Sequence, residues 1–236
     1  GHIYPAIAIA NEIKRRRPDA NILFVGAENK MEMEKVPKAG YRIEGLWISG
    51  FHRGLDMRNL SFPFKLIASY FKAGSIVKSF KPDVAIGTGG FASGPSLNAA
   101  MRNGVPAIIQ EQNSFPGVTN KILSRKAKTV CVAYDGMDKF FPKEKVVKTG
   151  NPVRQNIVLC NVKPEKARKD FDLDLDSKIL LIVGGSLGSR TLNNCLMGGL
   201  DYLKEKKIQV IWQTGTLMFE SCKQAAKGYD NVKVFD

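Results

Sequence analysis

Three loops and one histidine carry residue types that could do chemistry. Gly184-Gly185-Ser186-Leu187-Gly188-Ser189-Arg190 follows an apolar run and opens a helical pattern. Its glycines let the backbone turn tightly, and unpaired N–H groups at a helix start favour an anion, so the loop suits a diphosphate. It is neither a Walker A loop, since no Gly-Lys-Ser/Thr follows, nor a full G-x-G-x-x-G, and a packing turn would look the same. Gly87-Thr88-Gly89-Gly90-Phe91-Ala92-Ser93-Gly94-Pro95 has the same placement earlier in the chain, and Pro95 suits the first turn of a helix. Gln110-Glu111-Gln112-Asn113 ends another apolar run. Consecutive polar side chains make poor core and good partners for a polyhydroxylated ligand, although Asn113 or Ser114 could simply cap the next helix. His2, at the start of a helical pattern, can take a proton. His52, the other histidine, lies in a basic glycine-containing loop and ranks below it.

The elements that must position these residues alternate along the chain. Asn21–Gly26, Asp83–Gly87, Val105–Gln110 and Thr129–Ala133 read as buried strands. Pro5–Arg17, Asp56–Phe80, Gly94–Asn103 and Pro116–Lys126 read as helices between them. Continuous apolar strands separated by helices predict an α/β fold with parallel sheets covered on both faces. Such doubly wound folds bind ligands at the carboxyl ends of their strands, where the loops above fall. A second series follows Thr149-Gly150-Asn151-Pro152: strands at Lys178–Val183, Ile208–Trp212 and Asn231–Phe235, with helices at Ser189–Lys204 and Thr216–Ala226. Asn161–Asp176 is charged and holds a short helix. The division is therefore predicted near Asn151, giving domains 1–150 and 151–236. Both ends read as clipped, the first domain lacking its opening strand and the second its latter half.

Composition narrows the function classes. The formal net charge is +14, which draws the protein toward nucleic acid, anionic lipid or phosphorylated ligands. Four cysteines are present without C-x-x-C pairing or clustered histidines, so neither a disulfide framework nor a zinc site is expected, and a reducing cytosol fits. Asp172-x-Asp174-x-Asp176 lies in the variable charged segment, and no metal is assigned. No apolar run reaches the ~18 residues of a membrane span, and no signal peptide is recognised. One helix nevertheless has a second apolar face. At about 100° per residue, Leu66, Tyr70, Ala73, Val77 and Phe80 form a core stripe, while Phe64, Ile67 and Phe71 fall elsewhere, flanked by Lys65, Lys72 and Lys78. Aromatics among lysines fit a membrane-surface patch, the alternative being a helix buried on two sides.

Taken in order, the motifs resemble the MurG glycosyltransferases. Gly1-His2-Ile3-Tyr4-Pro5 is similar to the end of that family's glycine-rich loop. Gly89-Gly90-Phe91-Ala92-Ser93-Gly94-Pro95, Glu111-Gln112-Asn113 with Gly117-x-Thr119-Asn120-Lys121, Gly150-Asn151-Pro152-Val153-Arg154, Gly184-Gly185-Ser186-x-Gly188 and Trp212-Gln213-Thr214-Gly215 continue the match. The resemblance implies a GT-B architecture of two Rossmann-like domains, the first for the acceptor and the second for the nucleotide-sugar donor. It implies inverting transfer of N-acetylglucosamine from UDP-N-acetylglucosamine to the 4-hydroxyl of lipid I, giving lipid II, at the cytoplasmic face of the membrane. No cofactor and no nucleic acid enter.

Residue by residue, the resemblance implies that His2 is the general base. Gly89, Gly90, Phe91, Ser93 and Gly94 would hold the lipid carrier's diphosphate, and Glu111, Gln112 and Asn113 the acceptor. Asn113, Arg154, Ser186 and Gln213 would lie near the donor. Gln110 stands where many members have histidine, so no base is assigned there, and Phe91 replaces a frequent tyrosine. Two alternatives stay open: another GT-B enzyme with a lipid acceptor, and a basic nucleic-acid-binding protein. The latter lacks an aromatic RNA-binding strand, zinc spacing or a recognition helix.

Overall fold

The computed structural model describes residues 2–50, 62–185 and 187–236. Gly1, His52, the start of the predicted helix before Phe62, and Ser186 lie outside the described residues. The chain divides into two compact units, Gly1–Leu159 and Cys160–Asp236. The segment 151–159, assigned from sequence to the second domain, packs with the first unit. It forms only a short helix, α6 (Gln155–Val158, numbered in chain order below).

The first unit begins with α1 (Ile3–Arg16), whose buried face is Pro5, Ile7, Ala8 and Ala10. Pro5 falls in its first turn and Lys14, Arg15 and Arg16 in its last, where positive charge complements the helix dipole. β1 (Leu23–Ala27), α2 (Glu32–Lys38) and β2 (Arg42–Leu46) follow, with β1 and β2 parallel. Next come α3 (Phe62–Phe80), β3 (Ala85–Gly87), α4 (Ser93–Arg102), β4 (Ala107–Glu111), α5 (Val118–Ser124), β5 (Thr129–Val132) and β6 (Val146–Lys148). β3, β4, β5 and β6 form a four-stranded parallel sheet in that order. The sequence reading passes over α2, β2 and β6.

Leu97, Ile109, Leu123, Val130 and Val132 pack in one core cluster between that sheet and its helices. Each such side chain contributes about 1.5–3 kcal/mol by leaving water. A second cluster joins Ala27 and Leu46 to Ala73, Val77, Ala99 and Ala100, so α3 and α4 pack over the first two strands through small residues. In α3 the predicted stripe is buried at Ala73 and Val77 and half-buried at Leu66, Tyr70 and Phe80.

The second unit holds α7 (Pro164–Asp170), β7 (Ile179–Val183), α8 (Arg190–Glu205), β8 (Gln209–Gln213), α9 (Phe219–Ala225) and β9 (Val232–Phe235). Its three strands are parallel in the order β7-β8-β9. Its core is Leu196, Leu200, Leu203, Val210, Trp212 and Cys222 with their neighbours. Among the described residues no helix is long and apolar enough to cross a membrane.

Candidate functional site

His2 precedes α1, and the β3–α4 loop and the end of β4 close around its ring. The Nδ1 atom lies 2.8 Å from the Thr88 carbonyl oxygen and 2.9 Å from Gln112 Oε1. The Thr88 hydroxyl donates back to the His2 carbonyl at 2.9 Å. Gly89 makes room for this seat. Its φ is +100°, and a Cβ there would stand 2.6 Å from Nδ1. A side chain would meet both a disfavoured backbone conformation and the imidazole.

The strand-end cluster divides its work. Glu111 is 2% exposed, and its carboxylate accepts from four donors. They are Asn113 N and Asn113 Nδ2 at 3.0 Å each, Gly117 N at 3.2 Å and Asn120 Nδ2 at 2.8 Å. A buried carboxylate satisfied in this way organises the 112–117 turn and the start of α5. Expected from the sequence to contact the acceptor, Glu111 makes these hydrogen bonds within the protein. Gln112 is likewise occupied. Its Nε2 donates to Thr88 O at 2.9 Å, to Gln110 O at 3.1 Å and to Gln110 Oε1. Gln110 in turn donates to Asn151 Oδ1 at 3.4 Å. Asn113 remains exposed at the turn.

In the Gly89–Gly94 loop, Gly90 also has positive φ, +83°. The Ser93 hydroxyl donates to Gly89 O at 2.8 Å, bracing the loop against the first turn of α4. Phe91 is half exposed at 51%. Arg154 stacks its guanidinium carbon 4.7 Å from the Tyr4 ring centroid. Both border a cavity of about 360 Å³ also lined by Asn11, Lys35 and Lys38. Phe64, Ile67 and Phe71 are all exposed, at 70%, 57% and 78%. Lys65 lies 5.6 Å from the ring centroid of exposed Trp47.

In the second unit, the turn between β7 and α8 packs backbone to backbone against the turn after β8. A Cβ on Gly188 would stand 2.0 Å from Thr214 O, so only glycine fits. Gln213 clamps this turn: Gly185 N donates to Gln213 Oε1 at 2.9 Å, and Gln213 Nε2 donates to Gly185 O at 3.3 Å. Expected near the donor, Gln213 makes both of these amide hydrogen bonds to the loop. Beneath, buried Asn193 donates to Thr214 O at 2.9 Å and accepts from Trp212 Nε1 at 3.0 Å. Ser189 caps α8, its hydroxyl oxygen accepting from Leu192 N at 3.4 Å. Ser186 lies outside the described residues.

Thr88, Asn120 and Asn193 carry roles that the sequence reading did not assign. Thr88 and Asn120 stood inside motifs already singled out, whereas nothing in sequence distinguishes Asn193 from an exposed helical asparagine. Burial pushes the Cys131 thiol up, and a hydrogen bond with Thr149 opposes this. Among the described residues no group of three or more His, Cys, Asp or Glu could hold a metal ion.

A parallel α/β fold with glycine-rich turns at its strand ends defines a class, and the comparisons define it further. The N-terminal domain of glycosyltransferase family 28 matches residues 1–132, and the family's C-terminal domain matches residues 179–236. The chain belongs to glycosyltransferase family 28. Over 236 residues it is 56% identical to the UDP-N-acetylglucosamine–N-acetylmuramyl-(pentapeptide) pyrophosphoryl-undecaprenol N-acetylglucosamine transferase of Cytophaga hutchinsonii. The match covers 100% of this chain and 63% of that relative, so the chain spans less than two thirds of its relative's length. The crystal structure of Acinetobacter baumannii MurG superposes with a TM-score of 0.67 at 27% identity, covering 99% of this chain and 61% of that one. The UDP-GlcNAc 2-epimerase of Neisseria meningitidis, bound to UDP-GlcNAc, gives a TM-score of 0.64 at 12% identity, covering 100% of this chain and 69% of that one. At that identity the likeness is one of fold.

Proposed function

We propose that the full-length protein transfers N-acetylglucosamine from UDP-N-acetylglucosamine to the 4-hydroxyl of the muramoyl sugar of lipid I, yielding lipid II. The observation that carries this reading is the seat of His2 in a chain 56% identical, over all its residues, to a transferase of that name. His2 takes the hydroxyl proton, the acceptor oxygen bonds the anomeric carbon, and that carbon's bond to the diphosphate oxygen breaks with its electron pair leaving on UDP. Attack opposite the leaving group inverts the anomeric centre.

The first unit serves the acceptor, apart from Arg154 in its last segment, and the second serves the donor. Asn113, exposed at the turn after β4, meets the acceptor, and the Gly89–Gly94 turn with its positive-φ glycines receives the carrier diphosphate. The Gly184–Gly188 turn at the start of α8 offers N–H groups to the diphosphate of UDP, stabilising charge as it departs. Arg154 belongs with the donor by its family position, and a guanidinium suits a diphosphate. Phe64, Ile67 and Phe71, exposed among lysines on α3, rest on an anionic membrane at its cytoplasmic face. Apolar insertion and charge attraction add there. No cofactor or nucleic acid enters the reading.

The test offers the full-length protein UDP-N-acetylglucosamine with and without lipid I and follows UDP release. Release that depends on lipid I is expected. Equal turnover without any acceptor would contradict the transferase reading and favour hydrolysis or epimerisation of the donor.

A further inference from the structure

His2 is held through one of its two ring nitrogens. Nδ1 faces two oxygens, Thr88 O at 2.8 Å and Gln112 Oε1 at 2.9 Å. A backbone carbonyl can only accept, so the proton must sit on Nδ1. The orientation of the Gln112 amide is set independently. The atom at the other end of that amide faces Thr88 O, Gln110 O and Gln110 Oε1. The two backbone carbonyls among these can only accept and so require nitrogen there, which leaves oxygen toward the imidazole. No hydrogen bond to Nε2 is found among the described residues.

The geometry points to Gln112 as a positioning residue: with the Thr88 carbonyl it holds His2 as the Nδ1–H tautomer and leaves Nε2 free to take the acceptor's proton. This rests on the proposed transfer reaction. Gln112 thereby acts through His2 and is not an acceptor contact. Three further features fix the arrangement. The Thr88 hydroxyl ties down the His2 backbone, Gly89 leaves the space that the ring fills, and Gln110 joins Gln112 to Asn151. Asn151 Nδ2 also donates to Gln112 O at 3.4 Å. The groups packed on the ring, Thr88, Gly89, Gly90 and Gln112, are uncharged. Glu111, beside Gln112 in the chain, turns its carboxylate to Asn113, Gly117 and Asn120, and Arg154 lies over Tyr4. The imidazole is thus oriented by amides and not by a carboxylate.

The acceptor hydroxyl gives its proton to Nε2 while Nδ1 keeps its own, so His2 becomes an imidazolium as UDP leaves with the electron pair of the broken bond. An Nε2–H tautomer would present a proton where a lone pair is needed.

The experiment uses the full-length protein labelled with ¹⁵N-histidine, the His2 resonances being identified by their loss in His2→Ala. The wild type at pH 8 is expected to show a protonated Nδ1 and an unprotonated Nε2. Gln112→Ala should give a mixture of tautomers and lower kcat about 10–100-fold, with KM for UDP-N-acetylglucosamine within about threefold. An Nε2–H tautomer in the wild type overturns the proposal. So does a Gln112→Ala protein with an unchanged tautomer. The expected tautomers in a protein that makes no lipid product would uphold the positioning role and overturn the transferase reading.

Discussion

At the scale of the residue, His2 combines an anchored nitrogen with one that has no partner among the described residues, and its removal should therefore affect chemistry more than binding. His2→Ala in the full-length protein is expected to lower kcat by about 100-fold or more, within the range for a lost general base, while donor KM changes less than about threefold. Steady-state kinetics with both substrates decide it. Retention of wild-type kcat would remove His2 from the mechanism. The residue types at this site were legible in the sequence, but their partners were not. A polar side chain at a strand end reads the same whether it faces a ligand or its own backbone. Gln112, Glu111 and Gln213 all have protein partners that only folding supplies. Glycines gave clearer signals, since Gly89 and Gly188 occupy positions where both φ and space forbid a side chain.

At the scale of the element, the turn after β4 depends on one buried charge. Glu111→Gln replaces one acceptor oxygen by an NH₂ among N–H donors, and should destabilise the protein by about 2–3 kcal/mol in urea unfolding. Native stability combined with a raised acceptor KM would return Glu111 to the ligand contacts. Helix α3 makes the opposite case. Phe64, Ile67 and Phe71 touch solvent, so changing all three to serine should leave the unfolding midpoint nearly unmoved and weaken binding to anionic vesicles about tenfold or more. A collapse of the fold would make them core. The sequence located α1, α3, α4, β1, β3, β4 and β5 because their apolar residues are continuous or helically spaced. It missed β2 and β6, whose burial is partial. β2 alternates exposed Arg42 and Glu44 with half-buried Ile43 and pairs with one strand, β1. β6 sits at the end of its sheet with Val147 and Lys148 exposed. Strands at a sheet's margin need no apolar run, so hydropathy gives little warning of them.

At the scale of the whole molecule, the alternation of parallel strands and helices was readable from the chain, and so was the existence of two successive α/β series. The division itself was less readable. Pro152 marks a change of local conformation, whereas compactness depends on which surface the next residues pack against, and 151–159 pack with the first unit. Under the proposed function, the charge of +14 serves an anionic membrane beside the exposed α3 face and diphosphates at two glycine turns. The most direct test of the account is the identity of the product. The full-length protein is incubated with lipid I in anionic vesicles and UDP-N-acetylglucosamine labelled in the sugar, and the lipid fraction is recovered. The label is expected in that fraction as a β-1,4-linked N-acetylglucosaminyl-muramoyl disaccharide, and nearly absent from it with His2→Ala. Label confined to free sugar or to an epimerised nucleotide sugar would contradict it.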